Sequence, residues 1–312
     1  MNSVDERQRL DHALQQLQQI ITRHTPTTGT CQTSIPLLSI VRAEEVSEPL
    51  ITVYKPSICI VVQGAKTAML ADEMYRYDPD SFLITSVDLP IMGRISEASS
   101  EIPYLGLKLS FDTDVILDVV RMMEHPLPST TETSQGITIN PMSSPILDTV
   151  VRLLQLLDHP EDIAVLSPLI IRELVYRILQ SEQGHVLYPF AVTDSYSSRI
   201  AATIQVIKRE YNKPLEMEQL ARDVHLSSSA FHKHFKRITT MSPLQYQKTI
   251  RLQEAQRLML TEAMQAADAA FLVGYESPSQ FSREYARLYG KPPMQNIQDM
   301  RNLLADTQVS VK

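Results

Sequence analysis

Leu220-Ala221-x-x-Val224-x-Leu226-Ser227, followed by Phe231, Lys233, Phe235 and Ser242-Pro243, returns later in the chain. The second form is Ala269-Ala270-x-x-Val273-Gly274-Tyr275-x-Ser277, followed by Phe281, Arg283, Tyr285 and Pro293. From the serine onward the two segments, 215–243 and 264–293, keep a constant offset of 50 residues. Ahead of the serine the offset is 49, so the second copy carries one extra residue in its turn. A period of this size, present only twice, marks a duplicated module and not a solenoid. Each copy reads as two helices joined by a tight turn. Gly274, or His225 in the first copy, takes the turn position that favours glycine. Ser227 and Ser277 stand where an N-cap is wanted, and Pro278 follows at the first helical position, where a missing N–H costs nothing. Phe231 and Phe235, like Phe281 and Tyr285, are four apart and share one helix face. That face is predicted to pack inward, leaving positions 229, 232 and 233, and 279, 282 and 283, free to point outward.

Charge follows the same division. The whole chain of 312 residues carries a net charge of −7, yet residues 195–312 hold 16 Lys and Arg against 11 Asp and Glu, and the remainder is strongly acidic. A basic part that coincides with the duplicated modules is the electrostatic footprint expected of a phosphate-binding surface.

Residues 196–300 resemble the tandem helix-turn-helix domain of AraC/XylS-type bacterial transcription regulators. The second copy, Ala270-x-x-Val273-Gly274-Tyr275-x-Ser277-x-Ser279-x-Phe281-Ser282-Arg283, holds the family signature nearly intact. Leu252, Ala255, Leu258 and Met259 match the helix that joins the modules. The chain departs from the family at Thr240, where a glycine is expected after the first recognition helix, at Ala286 and Pro292, and at Met294-Gln295-Asn296-Ile297. Double-stranded DNA is the partner this resemblance implies, with RNA polymerase a further candidate.

Recognition helices are predicted at 228–238 and 278–287, joined by a helix over 244–260. At 17 residues that helix is roughly 25 Å long, enough to set both recognition helices in successive major grooves about 34 Å apart. Ser229, His232, Lys233, Ser279, Gln280, Ser282 and Arg283 are the expected base contacts, with Lys233 and Arg283 suited to guanine. Lys236, Arg237, Arg251, Arg257 and Arg287 are the expected phosphate contacts, which position without specifying.

Ahead of these modules the chain is predicted to be α+β: a small cupin-like β-barrel or sandwich with flanking helices. Leu10, Leu14, Leu17 and Ile21 recur at helical spacing over 4–24. Strands are predicted at 57–63, 66–70, 73–77, 81–87 and 104–110, separated by turn residues including Asp78-Pro79-Asp80 and Pro90. Tyr54-x-Pro56, Val61-Val62-Gln63-Gly64, Tyr77-Asp78-Pro79, Ala98-Ser99 and Pro103-Tyr104 resemble the cupin-like N-terminal domain of one AraC subgroup. The resemblance implies that residues 25–143 sense an effector, contact a partner domain, or both.

A helix is predicted over 111–124, a polar surface loop over 125–141, and helices over 144–182 broken at His159-Pro160. Two apolar stripes in the last segment, Ile146 to Leu157 and Ile170 to Leu179, serve either as intradomain core or as a homodimer interface; a dimerisation region is expected there. Residues 183–195 read as the linker.

No P-loop, dinucleotide fingerprint or HExxH motif is present, so the chain is not expected to be an enzyme. Residues 25–124 contain no histidine, which argues against the rival reading of a metal-dependent cupin enzyme with a DNA-binding tail. A nucleoid structural protein is disfavoured by the acidic N-terminal part. Neither a metal nor another cofactor is expected. Cys31 and Cys59 form no disulfide framework and suggest a reducing cytoplasm; no membrane span and no export signal are read. Tyr54, Tyr75, Tyr77 and Tyr104 are the candidate effector contacts, for a ligand expected to be small and uncharged or weakly charged. A barrel filled by its own side chains is the alternative.

Overall fold

The computed structural model describes residues 3–111, 113–123, 135–181, 187–191 and 195–309. The chain divides into two compact units: residues 1–202 together with 233–240, and residues 203–232 together with 241–312.

The first unit opens with helix α1 (Ser3–His24). Strands β1 (Gly29–Gln32), β2 (Leu38–Ala43), β3 (Leu50–Tyr54), β4 (Ser57–Gln63), β5 (Ala65–Leu70), β6 (Glu73–Tyr77), β7 (Ser81–Thr85), β8 (Leu89–Glu97) and β9 (Tyr104–Ser110) follow. Then come α2 (Thr113–Met122), β10 (Ile137–Pro141), α3 (Ser144–Gln155), a short 3-10 turn, α4 (Pro160–Gln180) and α5 (Tyr188–Ala191). The strands form two antiparallel sheets, a larger one ordered β1-β2-β9-β4-β7-β10 and a smaller one ordered β3-β8-β5-β6. This is a sandwich and not a closed barrel.

The larger sheet has two chemically different faces, generated by the two-residue period of its strands. Ile40, Ile58, Ile60, Val62, Leu105, Leu107 and Leu109 point to one side and join one core with Leu14, Leu17 and Ile21 of α1. The intervening residues, among them Ser39, Val41, Cys59, Tyr104 and Lys108, turn to the smaller sheet. The N-terminus of α3 is tied to α1 by Glu6, whose carboxylate accepts from the Ser144 amide at 2.9 Å and its hydroxyl at 3.0 Å. Those hydrogen bonds hold the Glu6 carboxyl below the usual carboxylate range.

Three expectations are corrected here. The predicted surface loop over 125–141 contains β10, an edge strand paired with β7 from Ile137↔Thr85 to Pro141↔Ser81; residues 124–134 lie outside the described residues. An edge tolerates Pro141 because the missing N–H faces no further strand. Pro90, read as punctuation, lies inside β8 opposite Val53, while β5 begins its pairing with β8 only at Met92. The apolar stripes of 144–182 are intrachain core: Ile146, Val150, Leu153, Leu154, Leu157, Leu174, Ile178 and Leu179 are all buried in the cluster that includes α1 and the larger sheet. Within the predicted linker, residues 187–191 are described and include α5, with Leu187 and Phe190 buried and Leu187 part of the same core; residues 183–186 and 192–194 lie outside the described residues.

The remaining helices are α6 (Tyr196–Arg209), α7 (Met217–Asp223), α8 (Ser228–Thr239), α9 (Pro243–Thr261), α10 (Ala266–Leu272), α11 (Pro278–Tyr289) and α12 (Pro293–Val309). Serine side chains and prolines fix the starts of α9 and α11. Ser242 and Gln245 form a reciprocal capping box, and Ser277 accepts from the Gln280 amide. The second module packs Phe281, Tyr285, Val273, Leu252, Met259 and Ile297 into one core within the second unit. No helix among the described residues is long and apolar enough to cross a membrane.

Candidate functional site

The two predicted recognition helices are α8 and α11, each extending one or two residues past its expected end. Phe231, Phe235, Phe281 and Tyr285 are fully buried, so the inward face is fixed by aromatic packing. Their spacing turns the other side outward. Ser229, His232, Lys233, Lys236 and Arg237 are exposed on α8; Ser279, Gln280, Arg283 and Arg287 are exposed on α11, and Ser282 is half-buried. Among the described residues, Lys233, Lys236, Arg283 and Arg287 make no ion pair with a carboxylate, which leaves four cations available to an outside anion. His234 faces away from this stripe. It stacks on Tyr196 with ring centroids 4.3 Å apart, and burial, with Lys233 and Arg237 nearby, pushes its pKa down.

Two of the expected phosphate contacts are engaged inside the protein. Arg251 of α9 donates to the Tyr211 carbonyl at 2.6 Å, the Lys213 carbonyl at 3.0 Å and the Gly274 carbonyl at 2.7 Å. It therefore ties the end of α6 to the turn of the second module. Gln247, one turn earlier on α9, donates to the same Tyr211 and Lys213 carbonyls. Arg257 is paired with Glu254 at 2.7 Å and Glu262 at 3.1 Å. An unpaired arginine and a structural one look alike in sequence. The i−3 and i+5 carboxylates around Arg257 were the only available signal.

Within α11, Glu284 accepts from Lys248 at 2.8 Å, the Tyr275 hydroxyl at 2.8 Å and Gln280 at 3.2 Å. Burial raises its pKa, but these three donors outweigh it and hold the carboxyl below its ordinary range. Gln280 is thus held from within its own helix while its side chain stays exposed.

A second site lies between the two sheets. A cavity of about 430 Å³ is lined by residues of β1, β2, β3, β4, β5, β6, β8 and β9, and three of the four candidate tyrosines, Tyr54, Tyr77 and Tyr104, belong to its wall. Tyr75 does not; it lies on the edge strand and its hydroxyl donates to Glu73 at 2.5 Å. Two glycines make room for the rings. A Cβ at Gly93 would sit 2.9 Å from the Tyr54 hydroxyl, and one at Gly106 would collide with the Tyr104 hydroxyl. Cys59 is buried in the same wall, and burial pushes its thiol up, away from thiolate chemistry. The sequence reading missed Lys66 and Lys108, which line this cavity. The signal was present: Lys108 alternates with Leu105, Leu107 and Leu109 in β9, so it must face the opposite side of the sheet. Among the described residues no group of three or more His, Cys, Asp or Glu is placed to hold a metal ion.

A duplicated helix-turn-helix with a basic outer stripe, preceded by a sandwich enclosing a cavity, is the build of a helix-turn-helix transcription regulator. Family models agree in both parts: an AraC-type transcriptional regulator N-terminus matches residues 34–186 and a helix-turn-helix domain matches residues 220–299. The chain belongs to the AraC family of transcription regulators. It is similar to the HTH-type transcriptional regulator GbdR of Pseudomonas aeruginosa, 24% identical over 129 residues, covering 41% of this chain and 35% of that protein. It is also similar to the virulence regulon transcriptional activator VirF of Yersinia enterocolitica, 26% identical over 158 residues, covering 50% of this chain and 56% of that protein. The chain thus spans about a third to somewhat over half of the length of these relatives. In fold it resembles ToxT from Vibrio cholerae, solved with an unsaturated fatty acid bound, with a TM-score of 0.56 at 10% identity over 84% of this chain and 94% of that one.

Proposed function

We propose that this protein is a sequence-specific DNA-binding transcription regulator whose sandwich unit binds a small organic effector. The observation that carries the reading is the pair of recognition helices. Each is capped by a serine, anchored by two buried aromatic residues and studded outside with polar and cationic side chains, of which Lys233, Lys236, Arg283 and Arg287 make no ion pair with a carboxylate among the described residues. Ser229, His232, Lys233, Ser279, Gln280, Ser282 and Arg283 are the proposed base contacts. Lys236, Arg237 and Arg287 are the proposed phosphate contacts, Arg251 and Arg257 having been withdrawn from that role. The inter-sheet cavity, with Tyr54, Tyr77 and Tyr104, is the proposed effector site. The relatives named above are all regulators, which favours this reading over a cupin-like enzyme carrying a DNA-binding tail.

Homodimer formation, contact with RNA polymerase and a cytoplasmic location complete the proposal. With the core stripes of α3 and α4 spent inside the protein, α4 still presents an apolar face on which Val165, Leu169 and Tyr176 are 67%, 55% and 45% exposed. Residues 25–143 act as the sensor, 144–182 as the helical region that presents this face, 183–195 as the linker and 196–312 as the DNA-binding part.

The test is selection of duplex DNA by the full chain from a random pool, followed by footprinting. A site covering about two helical turns on one face is expected. Arg283→Ala should cost about 1–3 kcal/mol and relax preference at one position of that site. Lys236→Ala should weaken all sequences alike and reduce the salt slope by about one. Equal binding of all duplexes by the native chain would overturn the sequence-specific reading.

A further inference from the structure

The inter-sheet cavity is not a neutral slot. Lys66 of β5, from the smaller sheet, and Lys108 of β9, from the larger, approach the Tyr54 ring, their ammonium nitrogens 5.8 and 4.7 Å from its centroid. No Asp or Glu lines the cavity, and among the described residues neither lysine makes an ion pair with a carboxylate. Two ammonium groups held near one ring, without a counter-charge in the wall, repel one another. The ring face offers each only part of what water would. A buried charge without a partner is costly unless something pairs with it.

A further buried group lacks a partner. Tyr77 is 1% exposed, lines the cavity, and its hydroxyl has no hydrogen-bond partner within 3.5 Å. Buried hydroxyls are normally satisfied. The remaining wall is largely apolar or hydroxyl-bearing, including Val41, Leu50, Val53 and Ile95, with Arg94 as a third cation. The cavity volume lies within the ordinary range for small-molecule sites.

We infer that the effector is a small organic monocarboxylate, its carboxylate held between Lys66 and Lys108 with the Tyr77 hydroxyl as a further donor, and its apolar body against the aliphatic wall. This rests on the reading of the cavity as the effector site and deepens it. It also replaces the expectation of an uncharged or weakly charged ligand. The carboxylate supplies the missing counter-charge to both ammonium groups and an acceptor for the orphaned hydroxyl. Burial lowers the Lys108 pKa from its ordinary value, so in the free protein this ammonium deprotonates earlier than a surface lysine. Lys66 and Lys55 add to that lowering, while Cys59 and Asp88 oppose it. The share of anion affinity that Lys108 supplies is therefore present below that lowered pKa and is lost as pH rises through it. Lys66, whose pKa is held up despite burial by Tyr54, Tyr104 and Cys59, and Arg94 of the same wall stay charged.

The experiment uses the full chain and two matched pairs of probes, octanoate with 1-octanol and 2-naphthoate with 2-naphthol, measured by calorimetry at pH 7. At least one acid should bind about tenfold or more tightly than its alcohol, the difference expected for charge-assisted hydrogen bonds. Lys66→Met and Lys108→Met should each erase that preference, Tyr77→Phe should weaken the acid alone, and Tyr75→Phe should change nothing. The preference should shrink between pH 7 and pH 10. Equal binding of acid and alcohol, or binding of neither acid, would overturn the inference. Circular dichroism of each variant distinguishes a lost site from a lost fold, and Lys66→Arg, which keeps the charge, should retain part of the preference. DNA binding by the same preparation is scored separately. A chain that selects DNA but ignores both acids refutes the carboxylate; one that binds an acid but selects no DNA refutes the regulator reading instead.

Discussion

The two helix-turn-helix modules reach the same turns with different residues. In the second, the two left-handed positions are glycines, Gly274 at φ +91° and Gly290 at φ +75°. In the first, the corresponding positions are His225 at φ +53° and Thr240 at φ +60°. The glycines are not equivalent to one another. A Cβ at Gly290 would meet nothing within 4 Å, whereas one at Gly274 would collide with the backbone carbonyl of Asn212 and approach the Arg251 guanidinium at 3.0 Å. Backbone conformation alone favours glycine at 290, where an L side chain is strained but has space. At 274 the requirement is close packing, because the turn is pressed against the end of α6 by the contacts that Arg251 makes. The first module tolerates a histidine and a threonine at its left-handed positions at the cost of local strain.

The comparison breaks most visibly at Gly274. Gly274→Ala should destabilise the full chain by about 3 kcal/mol or more, since both φ and a backbone collision oppose it. Gly290→Ala should cost only about 1–2 kcal/mol. Urea denaturation followed by circular dichroism measures both. Equal losses at the two positions would refute the distinction between packing and conformation.

Next in size is Arg251→Met, which removes the Gly274 carbonyl's side-chain donor and one of two donors each from the Tyr211 and Lys213 carbonyls, which keep Gln247, and should cost about 1–3 kcal/mol. A variant of unchanged stability whose DNA affinity loses about one unit of salt slope would return Arg251 to the phosphate contacts.

The smallest effect should be a gain. Thr240→Gly removes left-handed strain of about 1–2 kcal/mol while increasing the freedom of the unfolded chain, for a net stabilisation of about 0.5–1 kcal/mol. A loss instead would mean that the Thr240 side chain contributes more than its backbone strain takes away.

A second contrast, between the two faces of the larger sheet, explains what could be read in advance. β4, β6 and β9 were bounded correctly because apolar or alternating runs end at Gly64, Asp78-Pro79 and Phe111 without ambiguity. β8 was missed because Pro90 and Gly93 resemble turn residues. Only the pairing explains them: Pro90 has a strand on one side only, and Gly93 lies beneath the Tyr54 hydroxyl. The helix-facing side of the sheet was legible as hydrophobic alternation. On the side facing the smaller sheet, Tyr54, Lys66, Tyr77, Tyr104 and Lys108 follow no period that marks them as neighbours.

The sequence by itself determined the duplicated modules, their caps and turns, the outward residues of α8 and α11, and the family. These depend on spacings of a few residues along one helix, and such spacings are fixed by helix geometry before any tertiary contact forms. Only the tertiary structure decided that Arg251 and Arg257 are spent on internal partners, that the stripes of α3 and α4 are core, and that two lysines from different sheets share one cavity. Those outcomes require strands and helices distant in sequence to meet in a particular register, and a one-residue shift in any of them would turn the same side chains to the other face.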